Sequence, residues 1–232
     1  MSIQVAAVRE AREFTHARRV NEALTASAER KVLCWMAERA PRWLSSDQLT
    51  VLGLVAQIGA GACYGLSRYH RWALLGVIGC LVLNWFGDSM DGTLARVRCR
   101  QRPRYGFYVD HVVDVVGAVA LMGGWGLSGF LHWQVAAAML VGFLLLASES
   151  YLATYTLGRF EMSQGLFGPT EIRILLAIGN VALLRSPYSV VLGHRLLLFD
   201  LGGSIAAVGM AAIFVKLAVQ HTRQLFREEP IV

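Results

Sequence analysis

Four aspartates within one short stretch of the chain are the residues best suited to chemistry. Asp88 and Asp91 are three residues apart, and Asp110 and Asp114 are four apart. On a helix, either spacing places two side chains on one face. The stretch lies between strongly apolar segments, and carboxylates beside hydrocarbon usually face a bundle interior or a watery cavity where they have a partner. The pattern therefore predicts two acidic helix faces around a cation site.

A basic connection separates the two acidic pairs. It covers residues 97–105 and carries four arginines: Arg98, Arg100, Arg102 and Arg104. The planar guanidinium of arginine suits phosphate oxygens. We therefore expect a phosphate site beside the cation site.

Eight positions of this stretch form a longer pattern: Asp88, Asp91, Gly92, Ala95, Arg96, Gly106, Asp110 and Asp114. The pattern resembles the signature of the CDP-alcohol phosphotransferase family. Nine residues separate Arg96 from Gly106, where the family usually has eight, so the sequence departs from the signature in the basic loop. Eight positions in order make chance a poor explanation of the match.

The resemblance implies an enzyme that transfers substituted phosphate groups. It would take a CDP-alcohol donor and an alcohol or lipid acceptor, form a new ester with the acceptor hydroxyl, and release CMP. Our preferred interpretation is transfer of a phosphatidyl group from CDP-diacylglycerol. The alternative within the family is transfer from CDP-choline or CDP-ethanolamine to diacylglycerol. The signature is common to both branches and does not separate them.

The resemblance also implies roles for single residues. Asp114 is the expected general base and shares in metal binding. The residues expected to hold the CDP moiety are Gly92, Ala95, Arg96 and Gly106. The expected metal ligands are Asp88, Asp91, Asp110 and Asp114. The expected cofactor is a pair of Mg2+ or Mn2+ ions, since hard divalent cations favour carboxylate oxygens. A homodimer is implied as well.

The composition predicts an all-α integral membrane protein. Of its 232 residues, 55% are hydrophobic, and the mean hydropathy is +0.47. A membrane span needs roughly 20 mostly apolar residues, and several stretches meet that length. Six spans are predicted, at residues 49–69, 72–86, 107–130, 134–155, 172–184 and 196–219. They form one predicted domain over residues 48–221, followed by a cytoplasmic tail over residues 222–232.

The distribution of positive charge predicts the orientation. The chain has a net charge of +6, and its arginines flank the apolar stretches. Six spans place both termini on the side of the basic loop, and the positive-inside rule makes that side the cytoplasm. We expect the inner, cytoplasmic membrane, with the site facing the cytoplasm. Membrane lipid is an expected partner; nucleic acid is not, because no basic face stands apart from the membrane flanks.

Residues 1–47 are predicted to form a cytoplasmic or interfacial segment. Within it, residues 21–44 mix apolar and charged positions, which predicts an amphipathic helix on the membrane surface with Trp35 and Trp43 among the headgroups. The alternative is a solvated helix packed on the domain. The N-terminal arginines precede no apolar core, so no cleavable signal is expected. The four cysteines contain no CxxC pair, and we expect no disulfide and no zinc site.

Three smaller features have open interpretations. Glu149 is a lone acid in the fourth predicted span, and either lines the pocket or reaches an edge of the membrane. The sequence of residues 168–171 is similar to one in the choline and ethanolamine branch. Glu171 and Arg173, at the cytoplasmic mouth of the fifth predicted span, could contact the acceptor headgroup, but we favour a helix start with Thr170 as the N-cap and Glu171 at the positive end of the helix. His111 is expected to pack rather than to act in the site.

A cation-coupled transporter is the alternative from a different functional class. Intramembrane acids serve such proteins well. Transport folds often contain repeated halves and broken helices, and neither is evident in the sequence. A transporter would also leave Gly92, Ala95 and Arg96 unexplained.

Overall fold

The computed structural model describes residues 18–20, 26–161, 168–191 and 193–229. Within these residues the chain is helical apart from two pairs of short strands, which confirms the predicted all-α class. The helices are α1 (Ala26–Arg39), α2 (Ser46–Ser67), α3 (Ala73–Val97), α4 (Pro103–Leu127), α5 (Trp133–Leu157), α6 (Pro169–Arg185) and α7 (Leu198–Glu228). Strand β1 (Arg18–Val20) pairs in parallel with β2 (Arg159–Glu161), and β3 (Tyr188–Val191) pairs antiparallel with β4 (His194–Leu197).

Five of the described helices are long and apolar enough to cross a membrane, namely α2, α3, α4, α5 and α7. The fifth predicted span, at residues 172–184, falls within α6, which has only 17 residues. That length lies at the lower end of the roughly 17–25 residues that a span needs. An integral membrane protein is therefore supported, whereas the count of six spans is not confirmed and stays a prediction.

Helix α6 runs antiparallel to α3 along most of its length. Near the start of α6, Arg173 donates to Asp88 late in α3, with 2.6 Å between Nη2 and Oδ2. At the other end, Arg71 lies just before α3 and its Nη2 donates to the Leu183 carbonyl oxygen at 2.6 Å. The two hydrogen bonds fix opposite ends of α6 on the same neighbour.

Short polar signals set the starts of α2 and α4. Ser45 caps α2 through a reciprocal pair with Gln48: the Gln48 amide donates to Ser45 Oγ at 3.2 Å, and the Ser45 amide donates to Gln48 Oε1 at 2.8 Å. Helix α4 begins at Pro103, within the predicted loop, because proline at the first helical position has a suitable φ and needs no amide partner. The loop is therefore shorter than predicted, and Arg104 belongs to the helix.

The start of α6 corrects one prediction. Gly168, not Thr170, is the N-cap, because the helix begins at Pro169, the first position that proline favours. Glu171 folds back and accepts a hydrogen bond from the Gly168 amide at 2.9 Å. Thr170 therefore lies in the first turn of α6, where its hydroxyl is available to another helix.

The largest buried cluster lies at the end of the bundle that is remote from the four aspartates. Tyr64 stacks on Trp125 with 5.1 Å between ring centroids, and Phe199 meets the Trp125 ring edge-on at 4.7 Å. Asn180 Nδ2 donates to the Tyr64 hydroxyl at 2.8 Å, which joins α6 to this cluster. Close packing at the remote end leaves the aspartate end of the helices free to surround a cavity.

Glycines allow α2 and α4 to pack backbone against backbone. A Cβ added to Gly61 would overlap the Ala120 carbonyl group on α4, whereas one added to Gly65 would meet nothing within 4 Å. Only the first glycine of the Gly61–Gly65 pair is therefore used for close packing. Small residues at helix crossings commonly permit such contact in membrane proteins.

Alanine substitutions at these two glycines should have opposite effects on stability. Gly61→Ala should destabilise the protein by about 1–3 kcal/mol, since the α4 backbone cannot yield as a side chain would. Gly65→Ala is the matched control and should be neutral or slightly stabilising, because alanine is the better helix former. Thermal unfolding in detergent measures both variants. Equal melting temperatures for the two would contradict the proposed close packing.

Helix α1 covers part of the predicted 21–44 helix and packs on the bundle. Leu33 and Ala37 are buried together with Leu49, Met90 and Leu94. Trp35, on α1, is 57% exposed, and Trp43, in the turn that follows the helix, is 74% exposed. The position of α1 on a membrane surface stays a prediction, as does the division of the chain at residues 47 and 221.

Candidate functional site

A cavity of about 290 Å³ opens among the ends of α2, α3 and α4. Six of the eight signature positions line it: Asp91, Gly92, Ala95, Arg96, Gly106 and Asp110. The last turns of α3 and the first turns of α4 carry these residues, because the loop between the two helices folds back sharply. The structure thus brings residues from both halves of the signature to one place.

The other two signature acids lie beside this cavity. Asp114, half-buried on α4, interacts electrostatically with Asp88, Asp91 and Asp110. Asp88 lies one turn before Asp91 on α3. The four acids therefore lie in one region of the structure, while a shared cation site and their individual roles stay predictions.

The start of α2 holds Asp91 in place. Thr50 Oγ1 donates to Asp91 Oδ2 at 2.6 Å, and Ser46 Oγ donates to the Asp91 carbonyl oxygen at 2.9 Å. The Gly92 amide also donates to Asp91 Oδ1. The two donors to the carboxylate, Thr50 and the Gly92 amide, are neutral, so they orient it without cancelling its charge.

Arg173 is the residue that sequence reasoning missed as a partner of the acids. Its Nη2 donates to Asp88 Oδ2 at 2.6 Å, and its Nε donates to Asn84 Oδ1 at 2.9 Å. Asn84 in turn donates to the Gly53 carbonyl oxygen at 3.0 Å. The available signal was a lone arginine just inside a predicted span, where a cation needs an acidic partner.

The glycine and alanine positions leave the cavity open. A side chain at Gly106 would extend into empty space, and one at Gly92 would lie 3.4 Å from Arg96 Nη1. Arg96 Nη2 donates to Thr93 Oγ1 at 2.9 Å. The small residues thus provide room beside a guanidinium, as a bound phosphate group would need.

The basic loop forms one rim of the cavity. Arg102 makes an ion pair with Asp47 at the start of α2, and its guanidinium lies 4.1 Å from the centroid of the Tyr105 ring. Cys99 has a φ of 52°, a left-handed conformation that reverses the chain after α3. This turn occupies the segment where the sequence has one residue more than the family usually has.

The acids fit a divalent cation in their chemistry. In the part of the chain that the structure describes, no three His, Cys, Asp or Glu residues already form a metal-binding group. Four carboxylates on two consecutive helices nevertheless provide the oxygen ligands that Mg2+ and Mn2+ prefer. Metal binding therefore stays a prediction that the donor set supports.

Two residues that the sequence left open lie outside the cavity. Glu149 is buried on α5, and its Oε1 lies 2.5 Å from Nδ1 of His221 on α7, so it links two helices instead of lining the cavity. His111 packs between aromatic rings, with its centroid 4.1 Å from Phe107 and 4.7 Å from Tyr151. The packing expected of His111 agrees with these contacts.

The fold and the cavity define a helical membrane protein with an acidic site at one end of its bundle. A sequence profile of the CDP-alcohol phosphatidyltransferase family matches residues 43–220, which is most of the chain. The chain belongs to this family, and the resemblance in the signature is confirmed. Comparison with curated proteins finds no match.

Family membership establishes the class of reaction. The protein is a transferase of substituted phosphate groups that uses a CDP-alcohol donor and an alcohol acceptor, and the family generally depends on divalent metal. The transporter interpretation loses its basis. A transporter would not explain Gly92, Ala95 and Arg96, whereas these residues belong to the signature of the family that the chain matches.

Proposed function

We propose that the protein transfers the phosphatidyl group of CDP-diacylglycerol to the hydroxyl of a small polar alcohol and releases CMP. The observation that carries this proposal is the cavity, in which acids of α3 and α4 face the small residues and the arginine of one signature. A nucleotide diphosphate needs both kinds of group at once. The membrane helices around the cavity suit a donor with two acyl chains.

The donor's CDP moiety is proposed to lie along the end of α3. Gly92 and Ala95 provide space for the nucleotide, and Arg96 pairs with the diphosphate, where the guanidinium fork matches phosphate oxygens. Gly106 gives the same clearance from the α4 side. The shared cavity and the open space at Gly106 support this assignment.

The four acids are proposed to hold two Mg2+ or Mn2+ ions. Their ligands would be Asp88, Asp91, Asp110 and Asp114. Bound divalent ions supply positive charge that offsets the diphosphate and the departing CMP. The Thr50 hydroxyl orients the Asp91 carboxylate, and the Ser46 hydroxyl holds the Asp91 main chain through its carbonyl oxygen.

Asp114 is proposed to act as the general base. It takes the proton from the acceptor hydroxyl while that oxygen forms a bond to the phosphorus of the phosphatidyl group. The bond from that phosphorus to the CMP oxygen breaks, and CMP leaves with the electron pair. General bases of this kind contribute about 10²–10⁴-fold to a rate. The position of Asp114 beside the other acids, but outside the cavity lining, supports a role on the acceptor side.

The site is proposed to face the cytoplasm from the cytoplasmic membrane, with both termini on that side. Helices α2, α4 and α6 begin at the end that carries the acids, so α6 would be the fifth of six crossings. Its contacts with α3 at both ends support this. We also propose a homodimer through membrane helices, as the family resemblance implies.

The choline and ethanolamine branch remains the alternative within the family. This alternative was suggested by the similarity of residues 168–171 to a sequence in that branch. In the structure, Gly168 and Glu171 cap α6, and Thr170 bonds to another helix. Structural roles therefore account for this segment without a headgroup, which favours CDP-diacylglycerol as the donor.

A donor and acceptor screen tests the proposal. Purified protein with Mg2+ or Mn2+ would be given CDP-diacylglycerol, CDP-choline or CDP-ethanolamine, each with polar alcohols or diacylglycerol, and CMP would be measured. We expect CMP only from CDP-diacylglycerol with a polar alcohol. Release from CDP-choline with diacylglycerol would establish the alternative branch, and no release from any pair would refute both.

A further inference from the structure

One carboxylate outside the proposed site joins three helices beside it. Glu29, on α1, accepts hydrogen bonds from Trp85 Nε1 at 2.7 Å and from Ser89 Oγ at 2.9 Å, both on α3. Each of its carboxylate oxygens also lies 3.1 Å from the donating hydroxyl of Thr170 on α6. Hydrogen bonds to an ionised acceptor are roughly twice as strong as those between neutral groups.

The contacts of Glu29 alternate along α3 with those of Arg173. Ser89, which bonds to Glu29, directly follows Asp88, which bonds to Arg173. One turn earlier on α3, Trp85, which also donates to Glu29, directly follows Asn84, which also accepts from Arg173. On α6, Thr170 and Arg173 are three residues apart and so share a face. Glu29 and Arg173 thus form neighbouring cross-links between α3 and α6.

Much of the apolar surface of α6 is not packed against other described residues. Five of its apolar side chains are exposed on the surface: Ile172, Ile174, Leu175, Ile178 and Val181. Its far end is held separately, by Arg71 and by the Asn180 contact with Tyr64. The hydrogen bonds of Glu29 and Arg173 therefore contribute much of what holds the first turns of α6 in place.

Helix α1 is itself firmly placed on the bundle, so it can serve as a support. Glu29, Leu33 and Ala37 follow each other at intervals of four and lie on one face. The two apolar residues are buried, at 5% and 2% exposure. Past the other end of α1, the Arg98 guanidinium donates to the carbonyl oxygens of Ala40 and others nearby.

We propose that Glu29 is a positioning residue for the transfer reaction. It holds the start of α6 against α3, and this keeps the Arg173 guanidinium on Asp88. The N-terminal helix would then be part of the framework of the site. This inference rests on the proposed function, because Asp88 is one of the acids assigned there to metal binding.

Hydrogen exchange tests the structural half of the inference without any turnover. Full-length protein in lipid nanodiscs, without added metal, would be compared as wild type, Glu29→Ala and Glu38→Ala. Glu38 is the matched control, since it lies on the same helix with 64% of its side chain exposed. We expect amide exchange in the first two turns of α6 to become about tenfold faster in Glu29→Ala only. Unchanged exchange there would overturn the inference.

Steady-state kinetics test the functional half. Glu29→Ala should raise the Mg2+ concentration for half-maximal CMP release about tenfold, whereas a loss of folded protein would lower only the maximal rate. Glu29→Gln, which keeps an acceptor oxygen, should recover part of the change. Thr170→Val should shift the half-maximal Mg2+ concentration by a similar factor. Combining it with Glu29→Ala should add little, because both substitutions remove the same hydrogen bond between Thr170 and Glu29. Fully additive shifts, or no shift in either variant, would overturn the inference.

The two experiments separate this inference from the proposed function. If the wild type releases no CMP from any donor while Glu29→Ala still loosens α6, the proposed function fails and the structural link stands. If the wild type releases CMP and Glu29→Ala behaves like Glu38→Ala, the inference about Glu29 fails alone.

Discussion

Asp91→Asn and Asp114→Asn should each lower CMP release by about 10²–10⁴-fold. Asparagine keeps the size of the side chain but loses the negative charge. At position 91 the amide oxygen can still accept from Thr50, whose hydroxyl lies 2.6 Å from the aspartate, so the fold should be retained while cation binding is lost. At position 114 the change removes the proposed base, an effect of about 10²–10⁴-fold. Initial rates of CMP release measure both.

Asp200→Asn is the matched control for these substitutions. Asp200 lies at the opposite end of the bundle, in the first turn of α7, and accepts from the His132 amide at 2.8 Å. Asparagine can accept the same bond, so this variant should keep wild-type activity. Near-normal turnover by both Asp91→Asn and Asp114→Asn would remove the roles proposed for those acids.

Local sequence patterns were enough to predict most of the helices and the acidic end of the bundle. Long apolar runs mark α2 to α5 and α7, because hydrophobic length is a signal that each segment carries by itself. Errors occurred where a proline starts a helix: α4 begins four residues before the predicted third span, and α6 begins at Pro169 instead of after Thr170. Helix boundaries depend on such single residues.

Contacts between distant segments could not be predicted in the same way. Arg173 meets Asp88 across 85 positions of the chain, and Thr170 meets Glu29 across 141. No periodic pattern links such residues, since the partner of a buried polar group is decided by which helices become neighbours. The sequence marked Glu149 as a lone acid within a span but did not identify His221 as its neighbour, and it gave no indication that Arg173 would pair with Asp88.

The signature itself shows why the site was easier to predict than its support. Its residues lie in one stretch of 27 positions, and a single reversal of the chain around Cys99 brings its two acidic pairs together. The residues that hold this arrangement come from α1, α2 and α6. Thr50, Glu29 and Arg173 have no spacing that relates them to the aspartates.

Removal of divalent metal should reduce CMP release to background. The donor's diphosphate and the four acids are all negative, and two unit charges 4 Å apart repel by about 4 kcal/mol at an effective dielectric constant of 20. Arg96, Arg100 and Arg102 line the cavity, but Arg102 already pairs with Asp47, and Arg173 nearby bonds to Asp88. The remaining guanidinium groups cannot offset so many negative charges. Donor affinity should therefore fall together with the rate. Chelation with EDTA, followed by titration with Mg2+ or Mn2+, measures the loss and its recovery.

The fold should survive this treatment, which makes the result interpretable. Contacts that do not involve the acids hold α2 to its neighbours, including the bond from Asn84 to the Gly53 carbonyl oxygen and the backbone packing of Gly61 on α4. Unchanged size-exclusion elution and full recovery of activity on adding metal would show that only the site was affected. The metal content of the chelated protein would be measured by mass spectrometry. If protein with less than one metal ion per molecule still released CMP at the full rate, the acids would serve another purpose. The cavity would then have to balance the charge of the diphosphate with its arginines alone.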